Sequence, residues 1–131
     1  MSKEIIVPRP VNGPYYDGWT LAKWMLKVAE ETGESITAAK HYEKAFKVLE
    51  QAQMDIRYLV HAKPITDTMK EDANAARDEL CKELTDVVTA ATSALEYIGC
   101  GFDERQRYQR IINESNAKRD GGRRFRKDDD A

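Results

Sequence analysis

The stretch Leu80–Gly99, "LCKELTDVVTAATSALEYIG", has the most regular apolar pattern in the chain. Its apolar residues recur at intervals of three and four, which is the spacing of one face of an α-helix. Gly99 and Gly101 follow the last of them, and glycine commonly lies at the end of a helix. The stretch therefore predicts a long amphipathic helix with an apolar face made of Leu80, Leu84, Val87, Val88, Ala91, Ala94, Leu95 and Ile98.

Two periodic stretches precede this helix. The first follows Asp17, a candidate N-cap, and predicts a helix to about residue 40. Gly33 lies inside its pattern, which predicts the close approach of a neighbouring helix or a ligand. The second stretch predicts a helix over Tyr42–Ala62, and because no helix breaker separates the two, their continuity stays open. The stripe of the first consists of Trp19, Ala22, Leu26, Ala29, Gly33 and Ile36.

The remaining segments complete an all-α fold. Pro64 predicts a helix end, and residues 64–72, "PITDTMKED", predict a connection. Residues 103–118 predict a shorter fourth helix. No stretch alternates with a period of two, so we expect a four-helix bundle-like domain over residues 18–118. The proline-rich residues 1–17 predict an extended N-terminal arm, and residues 119–131 a flexible charged tail.

Composition limits the class of protein. The 131 residues suffice for one domain. The predicted helices offer only three long apolar faces and one short one, and bundles with so little apolar surface often complete their core by forming a homodimer or homotetramer. Charged residues make up 34% of the chain, yet the net charge is only −2, so the whole chain is not a nucleic-acid-binding polycation. We expect no signal peptide and no membrane span. Cys81 and Cys100 are too few for a disulfide framework, and we expect reduced core thiols in a cytoplasmic protein.

Two acidic pairs border the apolar stripes. Glu31 and Glu34 lie three residues apart in "KVAEETGESI", residues 27–36, and Glu83 and Asp86 repeat this spacing. Residues three apart project from one helical face. If the two helices pack antiparallel, four carboxylates converge, and they cannot all stay ionised without compensation. An oxygen-only set of this kind suits Mg²⁺ or Mn²⁺.

Single acidic pairs in charged helices are usually solvated, so a solvated acidic face stays the simple alternative. A di-iron bundle also uses inward carboxylates, but it needs Glu-x-x-His pairs. His41 and His61 are preceded at that spacing by Ala38 and Tyr58, which excludes such a site. We expect both histidines at the surface or at helix ends.

Three segments resemble one protein family. "KVAEETGES" is similar to the E-E-x-x-E motif of the MazG-like all-α nucleoside triphosphate pyrophosphohydrolases, and "DELCKELTDVVTAATSAL" to their E-x-x-D motif. "RIINESNAKRDGG" resembles their Asn/Lys-rich closing segment, so the likeness extends from about Gly18 to Gly122. It implies Mg²⁺-dependent conversion of a (deoxy)nucleoside triphosphate to its monophosphate and pyrophosphate, with Mn²⁺ as a substitute metal.

The resemblance also implies roles for particular residues. The metal ligands would be Glu31, Glu34, Glu83 and Asp86. The catalytic residues would be Glu30, which orients water, and Glu31. The phosphates would meet Asn113, Asn116, Lys118 and Arg119. The base pocket would be lined by Trp24, Tyr42 and Phe46.

Two other functions stay open. Charged helices with apolar stripes are also typical of non-enzymatic dimerisation or interaction modules. The basic residues of 118–127, "KRDGGRRFRK", suggest a nucleic-acid-binding arm, but the neighbouring residues 128–130 are all aspartate and argue against it. Base and sugar preference, or an alarmone substrate, are not decided by the sequence.

Overall fold

The computed structural model describes residues 6–55, 63–119 and 121, and they confirm the all-α prediction. Within these ranges no strand forms, and no helix is both long and apolar enough to cross a membrane. The first five residues of the predicted arm, the predicted helix end near Ala62, His61 and most of the predicted tail lie outside the described residues. A short 3-10 turn, Pro14–Tyr16, precedes the helices α1 (Leu21–Asp55), α2 (Lys63–Tyr97) and α3 (Phe102–Lys118).

The described residues form three α-helices and not four, because the first predicted helix and the described part of the second, up to Asp55, belong to one helix, α1. Thr20 caps this helix: its Oγ1 accepts a hydrogen bond from the Lys23 N–H at 3.2 Å. Asp17, the predicted cap, instead ends the 3-10 turn. The predicted connection over residues 64–72 is wrong, since these residues belong to α2. Pro64 is tolerated there because the first turn of a helix leaves its N–H groups without helical partners.

Helices α1 and α2 pack antiparallel along their length. Trp24 and Ser93 line one cavity near the start of α1, whereas Val48 and Met69 line another farther along it. The side chains buried between them are mostly small or polar: Trp24, Glu31, Ser35 and Leu49 on α1, and Ala73, Ala90, Ser93 and Ala94 on α2. The interface between the two helices is therefore formed by the face of α1 that includes Trp24 and Glu31, and not by its apolar stripe.

The predicted apolar stripes mostly face away from this interface. Leu26 is 70% exposed and Ile36 53%, and Leu84 and Val88 on α2 are exposed as well. A methyl group placed on Gly33 would meet no side chain or neighbouring element of the described chain within 4 Å, so the expected close approach does not occur within one chain. Helical periodicity identifies an apolar face but does not say which element covers it.

Arg105 fixes the corner between α2 and α3. Its buried guanidinium donates hydrogen bonds to the Cys100 carbonyl at 2.8 Å and to the Pro8 carbonyl at 3.3 Å, and it pairs with Glu96 at 3.2 Å. These bonds hold the N-terminal arm against the corner. Cys100 is buried there, but Cys81 is exposed on α2, so the prediction of two core thiols is wrong for Cys81.

Candidate metal centre and adjoining cavity

Three of the four predicted metal ligands converge between α1 and α2. Glu31, Glu83 and Asp86 each place one carboxylate oxygen within 4.8 Å of the others. Glu83 and Asp86 lie three residues apart and so project from one face of α2, while Glu31 comes from the facing helix. The antiparallel packing thus brings Glu31, from the first acidic pair, to both members of the second pair, which is distant in the sequence.

Burial at this cluster leaves polar atoms unsatisfied. Glu31 is only 7% exposed, and its Oε1 forms an ion pair with Lys27 Nζ at 2.8 Å. The second oxygen, Glu31 Oε2, is buried without a hydrogen-bond partner among the described residues, and so is Glu83 Oε2. A buried carboxylate oxygen without a partner is costly, which makes these two atoms candidates for coordinating a cation.

Two further carboxyls, Glu34 and Glu79, lie beside the cluster and act on its protonation. The pKa of Glu83 is raised to about 7, first by loss of solvation and then by the neighbouring Glu79 carboxyl, to which a protonated Glu83 can donate, and by repulsion from Glu34. The pKa of Glu34 is also raised, chiefly by the neighbouring Glu31 carboxyl, to which a protonated Glu34 can donate, and by repulsion from it. Glu34 is exposed, and it borders the three-residue cluster without belonging to it.

The donor set fits a hard divalent cation. It consists of carboxylate oxygens from both helices, two of which lack partners, and Mg²⁺ and Mn²⁺ prefer such ligands. Glu30, the predicted water-orienting residue, is exposed on α1 and does not belong to the cluster. Its predicted role stays a prediction.

A cavity of about 280 Å³ adjoins the cluster, and both Glu31 and Asp86 contribute to its wall. Trp24, one of the three residues of the predicted base pocket, forms another part of the wall, and its role stays a prediction. Its ring stacks on Tyr16 with centroids 5.3 Å apart and an interplanar angle of 20°. The cavity therefore joins an acidic end to an aromatic end.

The other two residues of the predicted base pocket lie elsewhere. Tyr42 and Phe46 contact each other with ring centroids 6.1 Å apart, but neither lines the cavity that contains Trp24. At a rise of 1.5 Å per residue, Tyr42 lies about 27 Å from Trp24 along α1. Because α1 is one continuous helix and not two packed helices, a pocket within one chain does not include both groups.

The predicted phosphate-binding residues lie at the end of α3. Asn113 accepts a hydrogen bond from Gln109 Nε2 at 3.0 Å. Asn116 is partly buried, whereas Lys118 and Arg119 are exposed, and none of the four lines the cavity beside the acidic cluster. The fold of one chain does not bring them to Glu31, and their role stays a prediction.

Sequence reasoning missed several residues of this site. Lys27 precedes Glu31 by four residues, which is the spacing of an ion pair on one helical face. This spacing could have predicted the contact between them. Asn12, Tyr16 and Ser93 also line the cavity. The contact between Asn12 and Ser93 connects the arm to α2 over 81 positions, and no local pattern indicates such a contact. His41 is exposed, as expected.

Comparisons with protein-family models, with curated proteins and with solved structures give no match for this chain.

Proposed function

We propose that the protein is a Mg²⁺-dependent nucleotide pyrophosphohydrolase that converts a (deoxy)nucleoside triphosphate to its monophosphate and pyrophosphate. The observation that carries the proposal is the buried carboxylate of Glu31, whose Oε2 has no partner among the described residues and which lies within 4.8 Å of Glu83 and Asp86. A helix interface built only for stability would exclude such a cluster, because buried like charges oppose folding. The resemblance of the two acidic motifs to the MazG-like family supports the same function.

In this proposal Glu31, Glu83 and Asp86 hold the cation, and Glu34 at the border of the cluster is a fourth ligand. A bound Mg²⁺ supplies neutralisation of phosphate charge and activation of water for attack at phosphorus. Lys27 positions one oxygen of Glu31 through their ion pair. Lys27 also lines the cavity, so its ammonium group is available to pair with a phosphate of the substrate.

The exposed apolar faces support assembly into a homodimer or homotetramer. Large apolar side chains remain uncovered on both long helices, among them Leu26, Ile36, Leu84 and Val88. Side chains of this size stabilise a fold only when they are removed from water. Two copies that pair α1 and α2 would form a four-helix bundle with two helices from each chain, which differs from the single-chain four-helix bundle predicted from the sequence.

A non-enzymatic helical interaction module is the second candidate, and the same exposed apolar side chains favour it. The two candidates differ in their need for the acidic cluster. An interaction module has no use for the unpartnered oxygens of Glu31 and Glu83, and it would gain stability when their charge is removed.

Pyrophosphate release from a panel of ribo- and deoxyribonucleoside triphosphates tests the proposal. We expect release with Mg²⁺, none with a chelator, and a loss of at least about a hundredfold in Asp86→Asn. Glu71→Gln, at an exposed position of α2 outside the cluster, is the matched control and should keep full activity. If no nucleotide is hydrolysed by the folded protein, the interaction module is the better account.

A further inference from the structure

The N-terminal arm is joined to α2 by a hydrogen bond that fixes the orientation of one side-chain amide. Asn12 Nδ2 donates to Ser93 Oγ at 2.8 Å, and Ser93 Oγ donates to the Thr89 carbonyl at 2.8 Å. A hydroxyl has one proton, so Ser93 Oγ can only accept from Asn12. The amide nitrogen therefore points at Ser93, and Asn12 Oδ1 remains an acceptor without a donor among the described residues.

This amide lies at the aromatic end of the cavity that adjoins the acidic cluster. Asn12, Tyr16 and Trp24 line the cavity together, and Trp24 is only 6% exposed. Glu31 lies seven positions after Trp24 on α1, or about 10 Å along the helix axis. One nucleotide can therefore extend from the acidic cluster to the aromatic end, with its phosphates at the carboxylates and its base beside Trp24.

We propose that Asn12 reads the nucleobase of the substrate, with Oδ1 as a fixed acceptor and the second Nδ2 proton as a donor. Adjacent acceptor and donor groups match a base edge that presents a donor beside an acceptor. A cavity of about 280 Å³ is small for a ligand site, so we expect a single-ring pyrimidine to bring this edge to Asn12 and a larger purine to bind without that contact. The contact with Asn12 is then the source of the preference for the pyrimidine. This inference rests on the proposed function, because it takes the acidic cluster as the phosphate end.

The test measures binding without turnover. The probes are the α,β-methylene analogues of CTP, UTP, ATP and GTP, in which the bond to be cleaved is replaced, and the signal is Trp24 fluorescence in a Trp19→Phe background. We expect the better pyrimidine analogue to bind about tenfold more tightly than either purine. Asn12→Ala should reduce this ratio to about one.

A matched control separates recognition from simple anchoring of the arm. Arg9 holds the arm elsewhere, with its guanidinium 3.6 Å from the centroid of the Phe102 ring. Arg9→Ala loosens the arm without touching the amide, so it should weaken all four analogues by a similar factor and keep the ratio between them. If Asn12→Ala also keeps the ratio, Asn12 is only an anchor and the inference is wrong.

The outcomes distinguish this inference from the proposed function. Pyrophosphate release together with equal binding of all four analogues would overturn the base-reading role of Asn12 and leave the hydrolase intact. Selective binding that depends on Asn12, without any pyrophosphate release, would support base recognition and overturn the hydrolase. If no analogue binds, the inference is overturned whatever the hydrolysis assay shows.

Discussion

Glu31 and Glu83 come from two different helices, yet they bring carboxylate oxygens within 4.8 Å of each other, and each has a buried Oε2 without a partner among the described residues. Lys27 compensates only part of this charge, through Oε1 of Glu31. The contact between α1 and α2 therefore includes an unfavourable interaction at its polar centre. A cation would turn this interaction into a favourable one, which links metal binding to the stability of the helix pair.

The raised pKa of Glu83 predicts how the stability of the metal-free protein depends on pH. Its pKa is about 7 in the folded state, against 4.5 as its ordinary value, so folding favours the protonated form. The stability contributed by this group is complete below about pH 4.5 and is lost as the pH rises through 7. We expect Glu83→Gln to be more stable than the wild type at pH 8, and this difference to shrink at pH 5.

Urea denaturation with a chelator at both pH values measures this difference. Glu71→Gln serves as the control, because it removes a carboxylate from an exposed position of the same helix. A difference between Glu83→Gln and wild type that stays the same at pH 5 and pH 8 would show that the folded-state pKa of Glu83 is ordinary.

The outward apolar stripe of α1 predicts self-association. Leu26 is 70% exposed in a single chain, so Leu26→Lys should leave the packing of α1 on α2 unchanged. In sedimentation measurements we expect the wild type to assemble into the proposed dimer or tetramer and Leu26→Lys to stay monomeric, because a buried unpaired charge opposes assembly. Asn74→Lys adds the same charge at an exposed position of α2 and should assemble normally. Assembly that is equal in both variants would contradict the assignment of this stripe to an interface.

The buried guanidinium of Arg105 predicts a stabilising role for the arm contact. Arg105→Ala removes the hydrogen bonds to the Cys100 and Pro8 carbonyls, and we expect the free energy of unfolding to fall by about 2 kcal/mol. Arg107→Ala, on the exposed face of α3, should change it by less than about 0.5 kcal/mol. Denaturant titration of both variants checks this, and equal effects would mean that the corner does not depend on Arg105.

The sequence predicted the parts of the site that depend on helical spacing. Glu83 and Asp86 lie one turn apart, so any helix over them places both carboxylates on one side, and the antiparallel arrangement brings Glu31 opposite them. The sequence did not predict which face of α1 meets α2. Leu26 and Ile36 are more hydrophobic than Glu31, so we expected them in the core of the chain, but both are exposed. Helical periodicity does not distinguish a face that packs within a chain from one that packs between chains.

No sequence pattern predicted where the N-terminal arm packs. The contact between Asn12 and Ser93 joins positions that are 81 residues apart, and neither residue belongs to a periodic pattern. A contact of this kind depends on where the corner held by Arg105 places the chain, and that position is known only from the fold.

Calorimetric titration of the chelator-treated protein with Mn²⁺ tests the central claim most directly. We predict one saturable site in the wild type and in Glu71→Gln, and at least tenfold weaker binding in Asp86→Asn, because Asp86 supplies one of the three converging carboxylates. Binding that is absent from the wild type, or equally strong in Asp86→Asn, would contradict a metal centre between α1 and α2.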